Sequence, residues 1–136
     1  MNNKRVAVRA GCLFADCDNA ELGEMALVCR ELAAECVSRE ANRVLVVANG
    51  CDPEGHLALR NAFTTMLLAG IPAGFRLALI TDVPRVRALF ADLERDLRVL
   101  NVSARAFGDE AEAVEWLRQA AASQPGRDER ASRRQA

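Results

Sequence analysis

The amino-acid sequence predicts an α/β domain: a mixed, mostly parallel sheet of about five strands flanked by four helices, in the order ββαβαβαβα. Three observations lead there. Two continuous apolar runs, RVLVVAN at 43–49 and FRLALIT at 75–81, are bounded by turn residues, as expected of central strands covered on both faces. Around them lie segments whose apolar residues recur at three and four, the period of a helix with one face on a core. The chain then runs through ARAFGDEAEAVEWL at 104–117, a further strand and helix that close the alternation.

Each element has its own local cause. Arg5 to Arg9 and Cys12 to Asp16 read as two strands around Ala10-Gly11, where glycine can take the positive φ of a tight hairpin turn. Asp18-Asn19-Ala20-Glu21 has the spacing of a capping box, and a helix follows to about Glu40 with Leu22, Met25, Ala26, Cys29, Leu32, Ala33 and Cys36 on one stripe. After the strand at 43–49, Asp52 can cap and Pro53 can open a second helix that runs to about Ala69 and is ended by Gly70 and Pro72. A third helix starts near Pro84, with Val86, Leu89, Phe90, Leu93 and Leu97 facing the core. The last strand spans about Val102 to Phe107. Asp109 to Glu112 repeats the capping spacing ahead of a helix expected to bury Ala113, Trp116 and Leu117.

Strands separated by single helices favour parallel pairing through right-handed crossovers, with the opening hairpin adding an antiparallel strand at an edge. Residues 1–121 form the α/β domain on this reading. From Ala122 the composition changes to a flexible polar tail, 122–136, with too little apolar surface to offset its ordering entropy.

Composition narrows the function classes. A chain of 136 residues is one domain on length and can bury roughly two thirds of its unfolded surface, so it needs neither disulfides nor metal to fold. A net charge of -1 and a pI near 5.9 supply no global attraction for nucleic acid or acidic membranes. No apolar run reaches the ~18 residues of a membrane span. Lys4 is the only lysine among 18 basic residues, which excludes a P-loop or a Schiff-base lysine later in the chain. The N-terminus lacks a signal-peptide core, and the odd count of five cysteines indicates reduced thiols in a cytoplasm.

The element order, RVLVVANG at 43–50, RLALITD at 76–82, LNV at 100–102 and the closing ARAFGDEAEAVEWL together resemble the SpoIIAA-like, STAS-type domain family over about Arg5 to Ala120. The resemblance implies a small non-enzymatic domain that binds a regulatory partner, in which a Ser or Thr at the start of the helix after the central strand is phosphorylated. The matching segment here, Gly50 to His56, contains neither residue, so the usual phosphoswitch is not expected. Asp52 occupies the switch loop, either as a permanent negative charge or as an ordinary N-cap.

No pattern assembles a catalytic or metal site, and no cofactor is expected. With one histidine and no paired cysteine spacing, the five thiols fit no zinc arrangement. Cys51, beside a helix start, is the best reactive-thiol candidate, although Asp52 opposes a lowered pKa. His56 reads as a surface or capping-region histidine, and a Cys51–His56 dyad lacks an orienting third group. Receiver-domain and dinucleotide-binding readings fail for want of a late lysine and a glycine fingerprint.

Two surfaces remain as candidates for binding. In the second helix Leu59, Ala62, Phe63 and Met66 form one stripe while Leu57, Leu67 and Leu68 fall outside it, which suits either self-association, a protein partner or deeper burial under neighbouring helices. Arg85 and Arg87 sit in the first turn of the third helix, where the macrodipole disfavours a cation by about 0.3–1 kcal/mol. They either meet an acidic partner or face water. The functional expectation is therefore a protein-interaction domain, with a carrier of a small apolar ligand, held between the second helix, the third helix and the sheet, as the alternative.

Overall fold

The computed structural model describes residues 5–9, 11–70, 74–100 and 102–122, without the side chains of residues 67 and 120–122. Its elements are β1 (Val6–Arg9), β2 (Cys12–Asp16), α1 (Leu22–Arg39), β3 (Arg43–Val47), α2 (His56–Ala69), β4 (Arg76–Ile80), α3 (Pro84–Val99), β5 (Ser103–Phe107) and α4 (Glu110–Ala122). A 3-10 turn at Pro53–Gly55 leads into α2. Ala122, expected to open the tail, is the last residue of α4; the rest of the tail, and Pro72, lie outside the described residues.

The strands form one five-stranded sheet in sequence order, with β1 antiparallel to β2 and every later pair parallel. Gly11 turns the opening hairpin with φ 78°. Each βαβ crossover moves one strand in the same direction, so crossovers of one hand deliver their helices to one face. Accordingly α1, α2 and α3 share a core with Leu13, Ala15, Val44, Val46, Leu77 and Leu79. The opposite face is covered by α4, whose Ala113 and Leu117 pack on Leu45, Val47, Ala78, Ile80 and Phe107.

This two-sided burial explains the unbroken apolar runs, because in β3 and β4 neither parity of side chain faces water. The edge strand β5 behaves differently. Ser103 and Arg105 are exposed and Phe107 is buried, and the Arg105 guanidinium lies 5.2 Å from the Phe107 ring centroid. A charged residue on an edge discourages pairing with another chain.

Two local expectations are corrected. The first helix begins at Leu22 rather than beside Asp18, and the Glu21 amide donates to the Glu24 carboxylate at 3.0 Å. The Asp18 carboxylate is engaged elsewhere, accepting the Asn49 amide at 2.8 Å, and Asn19 sits at φ 57°, outside helical geometry. Trp116 is half-buried rather than part of the core. Among the described residues α4 is the one helix on its face, so only one side of it is covered; the Trp116 ring packs 5.5 Å from Phe107 and meets the Arg76 guanidinium at 4.7 Å.

Packing under α2 is dense. Phe63 is fully buried and meets Phe75 edge to face, with ring centroids 5.8 Å apart. Phe63→Ala is expected to lower stability by about 3–5 kcal/mol, whereas Leu68→Ala should change it by less than ~0.5 kcal/mol. Urea denaturation midpoints check both, and equal effects would contradict the assigned burial.

Candidate functional site

The carboxyl ends of the parallel strands are where open α/β sheets commonly bind ligands. Here the aspartates at that edge hold loops. Asp16 accepts the Asp18 amide at 3.0 Å, Asp82 accepts the Gly50 amide at 2.8 Å, and Asp52 accepts the Glu54 amide at 3.0 Å. Thr81 donates its hydroxyl to the Ala48 carbonyl at 2.8 Å and accepts the Val83 amide at 3.1 Å. Asp52 thus caps the 3-10 turn ahead of α2, with Pro53 in the first position. Among the described residues no group of three or more His, Cys, Asp or Glu side chains is arranged to hold a metal.

Concave surface is found instead on either side of α2. Between α2 and α3 lies a groove of about 550 Å³, walled by Pro53, Leu57 and Leu89, by Arg60 and Arg85, and by Glu54, Asp92 and His56. The turn that carries His56 is pressed onto α1: a Cβ on Gly55 would stand 2.5 Å from Met25 Cγ and 2.9 Å from Met25 Cβ, so only glycine fits there.

His56 is the residue the sequence reading misplaced. It is 4% exposed, and neither ring nitrogen has a hydrogen-bond partner among the described residues. Burial holds its pKa below the usual 6.5, Arg60 pushes in the same direction, and Asp92 opposes them. The signal was present in the periodicity, because 56, 59, 63 and 66 continue the buried stripe of Leu59, Phe63 and Met66 one turn toward the N-terminus.

The other expected site residues separate into different places. Leu57 (64% exposed) and Arg85 both line the α2–α3 groove, while Leu68 (86% exposed) stands three turns further along α2. Leu67 is in α2, and its side chain lies outside the described residues. Arg87 donates to the Thr81 carbonyl at 3.1 Å and so ties α3 to the end of β4.

Cys51 is buried, and its thiol pKa is raised, chiefly by burial. Its backbone hydrogen bond lowers the pKa, and Asp52, Asp82 and Asp18 act in the same direction as burial. That removes the basis for a reactive thiolate. Nor does a dyad form, since the His56 nitrogens are unpartnered. Cys17, Cys29 and Cys36 are buried thiols without disulfides, each pushed up to about 12 mainly by burial.

On the other side of α2, between α1 and α2, lies a shallower trough of about 760 Å³. Its walls are small: Ala26, Ala33 and Ala34 from α1 face Ala58, Ala62 and Ala69 from α2, with Val37 at one end and Arg30, Asn61 and Thr65 as polar lining. No helix among the described residues is long and apolar enough to cross a membrane. No protein-family model, curated protein or solved structure matches the chain.

The two kinds of buried titratable group bracket the pH range of stability. The folded His56 pKa lies below its unfolded value, so the unfolded chain takes the proton first and stability falls as pH drops from about 6.5 through the folded pKa. For Cys17, Cys29 and Cys36 the folded value lies above the unfolded 9.0, and stability is lost as pH rises from 9.0 toward about 12. In His56→Leu the acid-side loss should shrink, and stability at neutral pH should rise by about 1–3 kcal/mol because the unmet polar group is gone. Thermal melts from pH 5 to 10 on both proteins read this, and an unchanged acid limb in the variant contradicts it. Ellman's reagent should leave Cys51 unmodified until denaturant is added; stoichiometric labelling of the folded protein would restore the reactive-thiol reading.

Proposed function

We propose that this chain is a small STAS-like protein-interaction domain that acts by binding, with the α1–α2 face as its contact surface and with no chemical step of its own. The observation that carries the reading is the alanine-walled trough between α1 and α2, on a helix, α2, that also leaves Leu68 86% exposed. Small side chains let a partner helix approach closely, and an exposed leucine on the same helix supplies apolar area for a partner to cover. Leu27 and Val37, also exposed on α1, extend the apolar surface. The resemblance of the strand and helix motifs to STAS-type domains supports a binding role, and the absence of a hydroxyl between Gly50 and His56 argues against a phosphoswitch there.

Self-association is the most direct form of this function, and a cytoplasmic setting suits the buried reduced thiols. The chemistry at Cys51 and His56 supports binding over catalysis, since the one is a protonated buried thiol and the other has no hydrogen-bonded nucleophile.

The test is Leu68→Glu. The side chain is solvent-facing, so the variant should keep the wild-type melting temperature within about 2–4 °C while the mass by light scattering falls from dimer to monomer. A wild-type protein that is monomeric at high concentration removes self-association. A variant that keeps the dimer removes this face.

A further inference from the structure

The α2–α3 groove differs in chemistry from the trough on the other side of α2. His56, the first residue of α2, lines it at 4% exposure with both ring nitrogens unpartnered. A neutral imidazole carries one donor and one acceptor, and buried polar groups in native proteins almost always find partners, so two unmet nitrogens mark the place of a missing one. Arg85 lines the same groove and makes no side-chain hydrogen bond or ion pair among the described residues. It stands in the first turn of α3, where the helix dipole disfavours a cation unless a negative charge joins it.

The remaining charges define what fits. Arg60 is engaged with Asp96 at 2.6 Å, and Asp92 is paired with Arg95. Glu54 and Asp92 on the wall oppose a doubly charged ligand such as a phosphate, whereas one unpaired guanidinium balances a single negative charge. Leu57, Leu89 and Pro53 supply an apolar surface beside that charge. We propose that this groove binds a small amphipathic carboxylate, its head group held by Arg85 and hydrogen-bonded to His56, its apolar chain lying on Leu57 and Leu89. This goes beyond the protein-binding reading and does not depend on it, because the two surfaces lie on opposite sides of α2.

His56 is the only histidine in the chain, so its imidazole resonances report on the groove without assignment of other residues. Octanoate is the probe, with octanol and acetate as controls, followed by NMR of the imidazole. Octanoate should shift the His56 signals saturably at submillimolar concentration and raise the imidazole pKa, because a bound anion adds to the carboxylates Asp92 and Glu54 in favouring the protonated ring, against burial and the guanidinium groups of Arg60 and Arg85. Acetate should bind at least tenfold more weakly for want of an apolar chain, and octanol for want of charge. Arg85→Gln, at an exposed position, should weaken octanoate at least tenfold and leave octanol unchanged. No saturable shift, equal binding of octanol, or an Arg85→Gln variant that binds octanoate as wild type would each overturn the proposal.

Discussion

The burial of β3 and β4 between two unequal helical layers is the constraint on which the remaining architecture rests. Val44, Val46, Leu77 and Leu79 face three helices, while Leu45, Val47, Ala78 and Ile80 face one. Removing a Val, Leu or Ile side chain from water stabilises by about 1.5–3 kcal/mol, whereas surface ion pairs such as Arg9–Glu110 or Arg39–Glu35 are worth about 0–1 kcal/mol. Stability therefore lives in the strands, and the charged surface is left to other tasks. Because the strands stand in parallel register, their carboxyl ends align, and the aspartates that follow them are close enough to accept amides from neighbouring loops.

The asymmetry of the two layers has a further consequence. One helix cannot cover a five-stranded sheet, so on the α4 face Phe14 and Trp116 are only partly covered, and arginines lie over these rings and over Phe107. Arg9 stands 4.1 Å from the Phe14 centroid, Arg76 4.7 Å from Trp116 and Arg105 5.2 Å from Phe107. Long guanidinium side chains shield apolar surface with their stems while keeping their charge near water, and each such contact is worth about 0.5–1 kcal/mol at an exposed site. The near-complete replacement of lysine by arginine in this chain suits that use, since guanidinium stacks on rings better than ammonium.

The second helix divides the other layer into two surfaces of different chemistry. Its inner stripe, from His56 through Met66, fixes it to the core, and its flanks form one wall of each groove. Toward α1 the walls are alanines. Toward α3 they are leucines with arginines, carboxylates and a buried imidazole. A histidine held at 4% exposure without partners opposes folding, and the dense contact of Gly55 with Met25 shows how firmly the turn beneath it is held in place.

By itself the sequence determined the α/β alternation, the mixed sheet, the near-continuous apolar strands and the N-cap at Asp52, because these follow from periodicity and turn chemistry within a few residues of one another. The capping spacing at Asp18 does not form a cap for the complementary reason: its carboxylate has a partner 31 residues away at Asn49, which no local spacing displays. Only the tertiary structure decided that three helices share one face, that Leu57 and Arg85 line a common groove while Leu68 stands apart, and that Arg87 is tied to a backbone carbonyl. It also placed His56 in the interior and buried Cys51. Burial and electrostatic surroundings are sums over neighbours brought together from distant segments, and the local pattern of a chain records which face a residue takes without recording what closes over it.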